Sequence, residues 1–230
     1  MTIRRWLWIG AILLAAGCPL AASERPWPLP AGRYFLERIP PPPANLGFRD
    51  RMDLRHSVAV QTQSKREDIQ QAEGFVQFNV FAFSPVLGSD FNAKNFPATA
   101  KFFQRLEATA NGPKNFIKDY YARTRPYLAH PESVRLLITP DGGFSYPSGH
   151  AMRAWLYARV LGDLVPAHRQ ALLKYAASVG LSRIVGGMHY RSDVLASRKV
   201  ADLILTELER EASFRADLEG LRADEWTKRR

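Results

Sequence analysis

The chain has 230 residues, 46% of them hydrophobic, and a formal net charge of +10, enough for one sizeable domain with a full apolar core. Beyond an apolar run near its start, no stretch approaches the roughly 20 apolar residues of a membrane-spanning helix, which excludes a multi-span membrane protein. Cys18 is the single cysteine, which excludes a disulfide framework; the basic balance suits an anionic substrate, nucleic acid or an anionic surface without choosing among them.

Residues 1–23 combine Arg4 and Arg5, an apolar run from Trp6 to Gly17 and the small residues Ala21, Ala22 and Ser23, the layout of a secretory signal peptide. Its removal lowers the net charge by two and leaves no thiol. Lipid attachment at Cys18 is the lesser alternative, because Ala15 stands where a larger aliphatic residue is wanted. Residues 24–65 read as a proline-rich arm: "RPWPLPAGRYFLERIPPPP" has polyproline character, and the mixed stretch 50–65 has room for a short helix. The main domain is expected over residues 66–230. From Arg66, the positions Ile69, Ala72, Phe75, Val76 and Val80 recur near a 3.6-residue period, predicting a helix that Pro85 and Gly88 end. Two helices follow, 97–110 stopped by Asn111-Gly112 and 113–126 halted by Pro126. A polar loop from Tyr127 to Tyr146 leads into helices at about 151–164, 166–183 and 190–211, then a charged helix to Arg230. No strand alternation is visible, so the expected fold is all-α, a helical bundle core.

Three clusters carry the chemistry. In "KDYYARTRP", Lys118 and Arg125 are seven apart, two helical turns; standing alone they are a solvated basic face. In "PSGH", Pro147, Ser148 and Gly149 shape a turn into a helix whose first amides lack partners, an end that attracts anions, with His150 in the first turn. In "SRIVGGMHYRSD", Ser182 and Arg183 sit near the end of one helix, Gly186-Gly187 breaks it, and His189 opens the next with Asp193 four residues later. That spacing lets a carboxylate hold one ring N–H and leave the other nitrogen free to attack or coordinate. The plain alternative is a helix-surface pair worth a few tenths of a kcal/mol.

Taken in order, Lys118-x6-Arg125-Pro126, Pro147-Ser148-Gly149-His150 and Ser182-Arg183-x5-His189-x3-Asp193 resemble the three-part signature of the type-2 phosphatidic acid phosphatase and vanadium haloperoxidase superfamily. With its leader, the chain is most similar to the soluble bacterial class A nonspecific acid phosphatases of that group. It departs from many of them in lacking cysteines after the leader and in carrying Ala151 after the PSGH histidine. The resemblance implies a periplasmic or secreted acid phosphatase acting on phosphate monoesters. It implies that Lys118, Arg125, Arg183, Ser148 and Gly149 bind the phosphoryl oxygens, that His189 attacks phosphorus, that Asp193 orients it, and that His150 protonates the leaving group. Phe91 or Phe96 is a candidate for the pocket mouth. No metal and no other cofactor is expected. The implied partner is a small phosphomonoester, not nucleic acid, with no membrane insertion after leader removal and a homo-oligomer left open. A vanadium-dependent haloperoxidase, a soluble lipid-phosphate phosphatase and a purely binding basic module remain as alternatives.

Overall fold

A computed structural model describes residues 25–227; the leader assigned to residues 1–23, with Cys18, and the last three residues of the tail lie outside them. Among the described residues the structure is helical with no strand, and no helix is long and apolar enough to cross a membrane.

Helix α7 (Gly149–Leu164) is the axis of the bundle. Met152, Ala154, Leu156, Tyr157, Ala158, Val160, Leu161 and Leu164 are all buried, an apolar surface wide enough to be packed by several neighbours, while Arg153, Arg159 and Asp163 stay partly exposed. It packs along α8 (Arg169–Val185) and α9 (Arg191–Arg210). In α9, Val194, Val200, Ala201, Ile204, Leu205 and Leu208 form the apolar stripe. Gly180 lets α8 and α9 approach, since a Cβ there would lie 2.8 Å from Val194 Cγ1. That contact sits one turn before Arg183, so it sets where the functional end of α8 meets the start of α9.

The long helix α5 (Pro97–Tyr121) differs from expectation. Asn111-Gly112-Pro113 does not divide it, because Pro113 removes one backbone hydrogen bond while Thr109, Ala110, Pro113 and Ile117 stay buried against the core. Packing outweighs the local breaker. Its N-terminus is capped from the far end of the chain: Glu225 accepts hydrogen bonds from the Ala98 and Thr99 amides at 2.7 and 2.9 Å, placing a negative charge at the positive end of a helix dipole. Helix α10 (Ala212–Leu221) and the π-helical turn Arg222–Trp226 that continues it deliver that residue; the expected tail helix is present this far, and its end at Arg230 lies outside the described residues. Phe91 and Phe96 pack on Trp226 with ring centroids 5.7 and 5.0 Å away, in the core rather than at a pocket mouth.

Before α5 the chain carries α1 (Gly32–Leu36), α2 (Phe48–Gln63), α3 (Arg66–Gly74) and α4 (Ser84–Leu87). The single helix expected through Phe83 ends at Gly74 instead, and Asn79 caps a separate turn by accepting from the Phe81 amide at 2.9 Å. The break frees the Val76 carbonyl for a partner elsewhere. In the proline-rich segment Trp27 is buried, its amide bonded to Thr109 Oγ1 at 3.0 Å and its indole N–H to Asp217 at 2.9 Å. Helix α2 packs on α8 and α9.

Candidate active site

Lys118 lies on the last turn of α5, which Ala122 ends in a left-handed conformation, φ 43°. The two-turn spacing on one helix face does not hold, because a residue before proline disfavours helical backbone and Arg125 is extended, φ −69° and ψ 150°, ahead of the short helix α6 (Pro126–Ala129). Both side chains nevertheless reach one place. The Lys118 ammonium donates to the Phe144 carbonyl. Burial, then the Arg125 charge, pull this half-buried amine down to about 7.

Ser148 is the N-cap of α7, its hydroxyl oxygen accepting from the Ala151 amide at 3.4 Å, as the sequence predicts. Gly149 opens the helix, and His150 follows in its first turn, buried. His150 Nε2 faces the Val76 carbonyl at 3.1 Å, and a carbonyl only accepts, so Nε2 carries hydrogen. The other nitrogen, Nδ1, lies 3.4 Å from Asp141 Oδ2. Burial lowers the His150 pKa against the opposite pull of Asp141.

Arg183 occupies the last turn of α8, wholly buried. The chain then turns back on itself at Gly186-Gly187. Gly187 has φ 76°, and a Cβ there would meet the Arg135 carbonyl oxygen at 2.3 Å. This reversal lets the Met188 and His189 amides both donate to the Arg183 carbonyl, at 3.0 and 3.2 Å. His189 therefore does not open a helix: α9 begins at Arg191 with Tyr190 as its cap, and Asp193 is the third helical residue. Asp193 comes near His189 as a capping residue rather than through helical i, i+4 spacing. Its Oδ2 accepts from the Tyr190 amide at 2.8 Å and from Ser145 Oγ at 2.6 Å, and stands 3.6 Å from His189 Nδ1, an ion-pair distance too long for a hydrogen bond.

The nucleophile candidate has a defined tautomer. Arg125 Nη1, always a donor, points at His189 Nε2 from 3.2 Å, so that nitrogen keeps its lone pair and the hydrogen sits on Nδ1, facing Ser145 Oγ and Asp193. Complete burial, then the positive charges of Arg125, Lys118 and Arg183, hold its pKa well below the usual histidine value. The ring is neutral. The Asp141 charge pulls the other way. The second oxygen of Asp193 is bonded to Arg123 Nη1 at 2.7 Å. Arg123 in turn pairs with Asp50 and Asp53 of α2 at 2.9 and 3.1 Å and stacks 3.9 Å over the Tyr190 ring. Burial lowers the Arg123 pKa, yet these carboxylates, Asp193 first, leave it raised overall.

At the centre stands Asp141. Its Oδ1 lies 3.2 Å from Arg125 Nη2 and 3.5 Å from Arg183 Nη2. Burial opposes its ionisation, but the His150 contact and the two guanidinium charges hold its carboxyl well below the usual range. Arg183 Nε and Nη1, by contrast, are buried with no hydrogen-bond partner, and burial lowers the Arg183 pKa to about 10. Two guanidinium groups, two imidazoles and a lysine amine thus gather about the segment Asp141 to Phe144, with donors left over.

A model of the PAP2 superfamily matches residues 106–208. The chain is 31% identical over 240 residues to a non-specific acid phosphatase of Salmonella typhi, an alignment spanning 96% of this chain and 92% of that protein. The chain belongs to the PAP2 superfamily. Two solved structures share the PAP2 fold at 19% identity: a bacterial vanadium-dependent iodoperoxidase (TM-score 0.58; 79% of this chain, 55% of that one) and a transmembrane PAP2-type phosphatidylglycerolphosphate phosphatase from Bacillus subtilis (TM-score 0.51; 82% and 92%).

In this PAP2 member, six of the eight residues singled out in the sequence are linked at the site: Lys118, Arg125, His150 and Arg183 contact the segment 141–144, His189 meets Arg125, and Asp193 stands beside His189. Ser148 caps α7 with its amide donating to the Asp193 carbonyl at 3.3 Å, and Gly149 after it lines a small cleft with Lys114 and Arg153. Sequence reasoning missed five participants. Asp141 sits in a Pro-Asp-Gly-Gly run that reads as an ordinary turn, and Ser145 as a loop serine. Arg123 looks like one more charge in a basic helix. Asp50 and Asp53 fall outside the matched segment, on a helix read as part of the arm. Asp141 alone left a trace, since an Asp nine residues before a helix-opening histidine shares its loop.

Proposed function

We propose that this protein is a periplasmic or secreted acid phosphatase that hydrolyses phosphate monoesters through a phosphohistidine intermediate, without a metal. One observation carries the reading: Arg183 is a fully buried cation whose Nε and Nη1 have no partner, beside the uncharged His189. An unfilled buried guanidinium is costly unless an anion completes it. Similarity over nearly the whole chain to a protein named non-specific acid phosphatase supports this reading, and the leader supports export. The mature chain is proposed to comprise the arm 24–65 and the catalytic domain 66–230, with α2 of the arm bracing the site.

Lys118, Arg125 and Arg183 bind the phosphoryl oxygens through charge-assisted contacts, about twice as strong as neutral ones. The Ser148 hydroxyl, whose oxygen already serves the helix cap, offers its O–H, and the Gly149 amide is one of the unpartnered donors of the first turn. His189 Nε2 attacks phosphorus with its lone pair. His150 enters the step as the imidazolium; as the P–O ester bond breaks, the leaving alkoxide takes the proton from its Nδ1, and the ring is left with hydrogen on Nε2. Water then attacks phosphorus, gives its proton to His150, and the P–N bond breaks to release phosphate. Asp193 and Ser145 hold the Nδ1–H side of His189 throughout, stabilising the positive charge the ring acquires.

Magnitudes assign the weights. Phosphate monoester hydrolysis requires up to about 10²¹-fold acceleration, roughly 28 kcal/mol, and a general acid supplies about 10²–10⁴ of it, roughly 3–5 kcal/mol. The cationic cradle and covalent positioning must furnish most of the rest, as expected where charge spreads over equatorial oxygens. The test is rapid acid-free quenching of the mature protein with labelled phosphomonoester, alongside steady-state assays with chelator and with vanadate. Label on His189, activity indifferent to chelator and inhibition by vanadate are expected. Label retained in His189→Ala, or halide oxidation switched on by vanadate, refutes the mechanism.

A further inference from the structure

The four residues Asp141 to Phe144 engage the cationic groups of the site. The five N–H groups of Arg125 face five acceptors, and this segment provides three of them: Gly143 O at 2.8 Å from Nε, Gly142 O at 2.8 Å from Nη2, and Asp141 Oδ1, the others being Met188 O and His189 Nε2. Phe144 O takes the Lys118 ammonium. Asp141 also reaches Arg183 and His150. A phosphoryl group can bind Arg125 only by replacing one of these acceptors.

Resting on the phosphatase reading above, we propose that Asp141 is a specificity-determining residue: its carboxylate occupies the phosphoryl position, and a substrate must displace it. The discrimination follows from shape. A carboxylate has two oxygens, and those of Asp141 leave Arg183 Nε and Nη1 unfilled. A tetrahedral phosphoryl group presents three peripheral oxygens and reaches those two donors as well as the ones Asp141 vacates. A free carboxylate offers nothing that Asp141 does not already supply, and Asp141 is tethered, with an effective concentration in the millimolar range. Small carboxylic acids are therefore excluded from a pocket whose charge would otherwise attract them. The Pro140 to Gly143 stretch suits displacement: Gly142 and Gly143 are exposed, and Gly143 has φ 82°.

Equilibrium binding of orthophosphate and of acetate to the full chain, by isothermal titration calorimetry at one pH and ionic strength, tests this. In Asp141→Asn the orthophosphate Kd is expected to fall about tenfold, the change produced by removing a competitor engaged in about nine molecules of ten. Acetate binding, expected to be undetectable in the unmodified protein, should become measurable in Asp141→Ala, where the vacated space admits it. Both substitutions fall on an irregular, partly exposed segment and leave the helices intact. Orthophosphate affinity unchanged or weakened in both variants, with no acetate binding, overturns the proposal if Arg183→Ala still abolishes orthophosphate binding. Full-strength orthophosphate binding in Arg183→Ala instead overturns the phosphoryl cradle itself.

Discussion

Replacing Arg123 by methionine keeps the length of the side chain and removes its charge. The guanidinium is 10% exposed and bonds Asp50, Asp53 and Asp193, whose side chains are 12%, 10% and 0% exposed. Without it, three carboxylates share a sheltered cluster with no cation among them. Removing one partner from a buried pair costs about 3–5 kcal/mol, because the remaining charge has lost both water and counterion. For a domain of this size each kcal/mol shifts Tm by about 2–4 °C, so Tm should fall by about 6–20 °C. Adding Asp50→Asn and Asp53→Asn in the same chain relieves the repulsion and should recover about 1 kcal/mol or more as a coupling energy. Urea denaturation at neutral pH, with the midpoint falling at unchanged slope, measures both quantities. A loss below about 1 kcal/mol, or strict additivity of the three changes, would show that Arg123 does not neutralise this cluster and that α2 does not brace Asp193.

Three further outcomes are expected. Lys118 is cationic below about pH 7 and neutral above it, so affinity for phosphoryl ligands should fall as pH rises through 7; Lys118→Arg stays charged and should lose that component of the pH profile, measured as kcat/KM against the unmodified enzyme with the same substrate. His150→Ala should slow phosphomonoesters with poor leaving groups by about 10²–10⁴ while sparing nitrophenyl phosphate far more; equal losses would remove His150 from the acid role. Gly187→Ala should cost about 2–5 kcal/mol in urea denaturation, since a side chain at φ 76° is strained and its Cβ collides with the Arg135 carbonyl; a neutral effect would mean the turn between Arg183 and His189 is not rigid.

Local signals were reliable where a short stretch of chain is sufficient to produce the structure. The Ser148 cap, the Gly186-Gly187 reversal and the apolar stripe of α9 each depend on neighbours within a few residues, so capping, backbone freedom and periodicity declare them directly. The same signals failed where burial competes with propensity. Pro113 was read as a helix start, yet the packed face of α5 carries the helix through it; the stretch through Val80 was read as one helix, yet it breaks at Gly74 and turns the Val76 carbonyl toward His150.

The amino-acid order alone specified the helical class and which charged and imidazole side chains belong together, because motif spacing records a constraint that chemistry imposes on the chain. Only the tertiary structure disclosed how those groups are held. Asp50 and Asp53 meet Asp193 through Arg123 across more than a hundred residues of sequence, and Asp141 enters the cationic cradle from an irregular segment. Such contacts arise from the three-dimensional closure of the chain, and no periodicity or local preference encodes the distance between a loop carboxylate and guanidinium groups on separate elements.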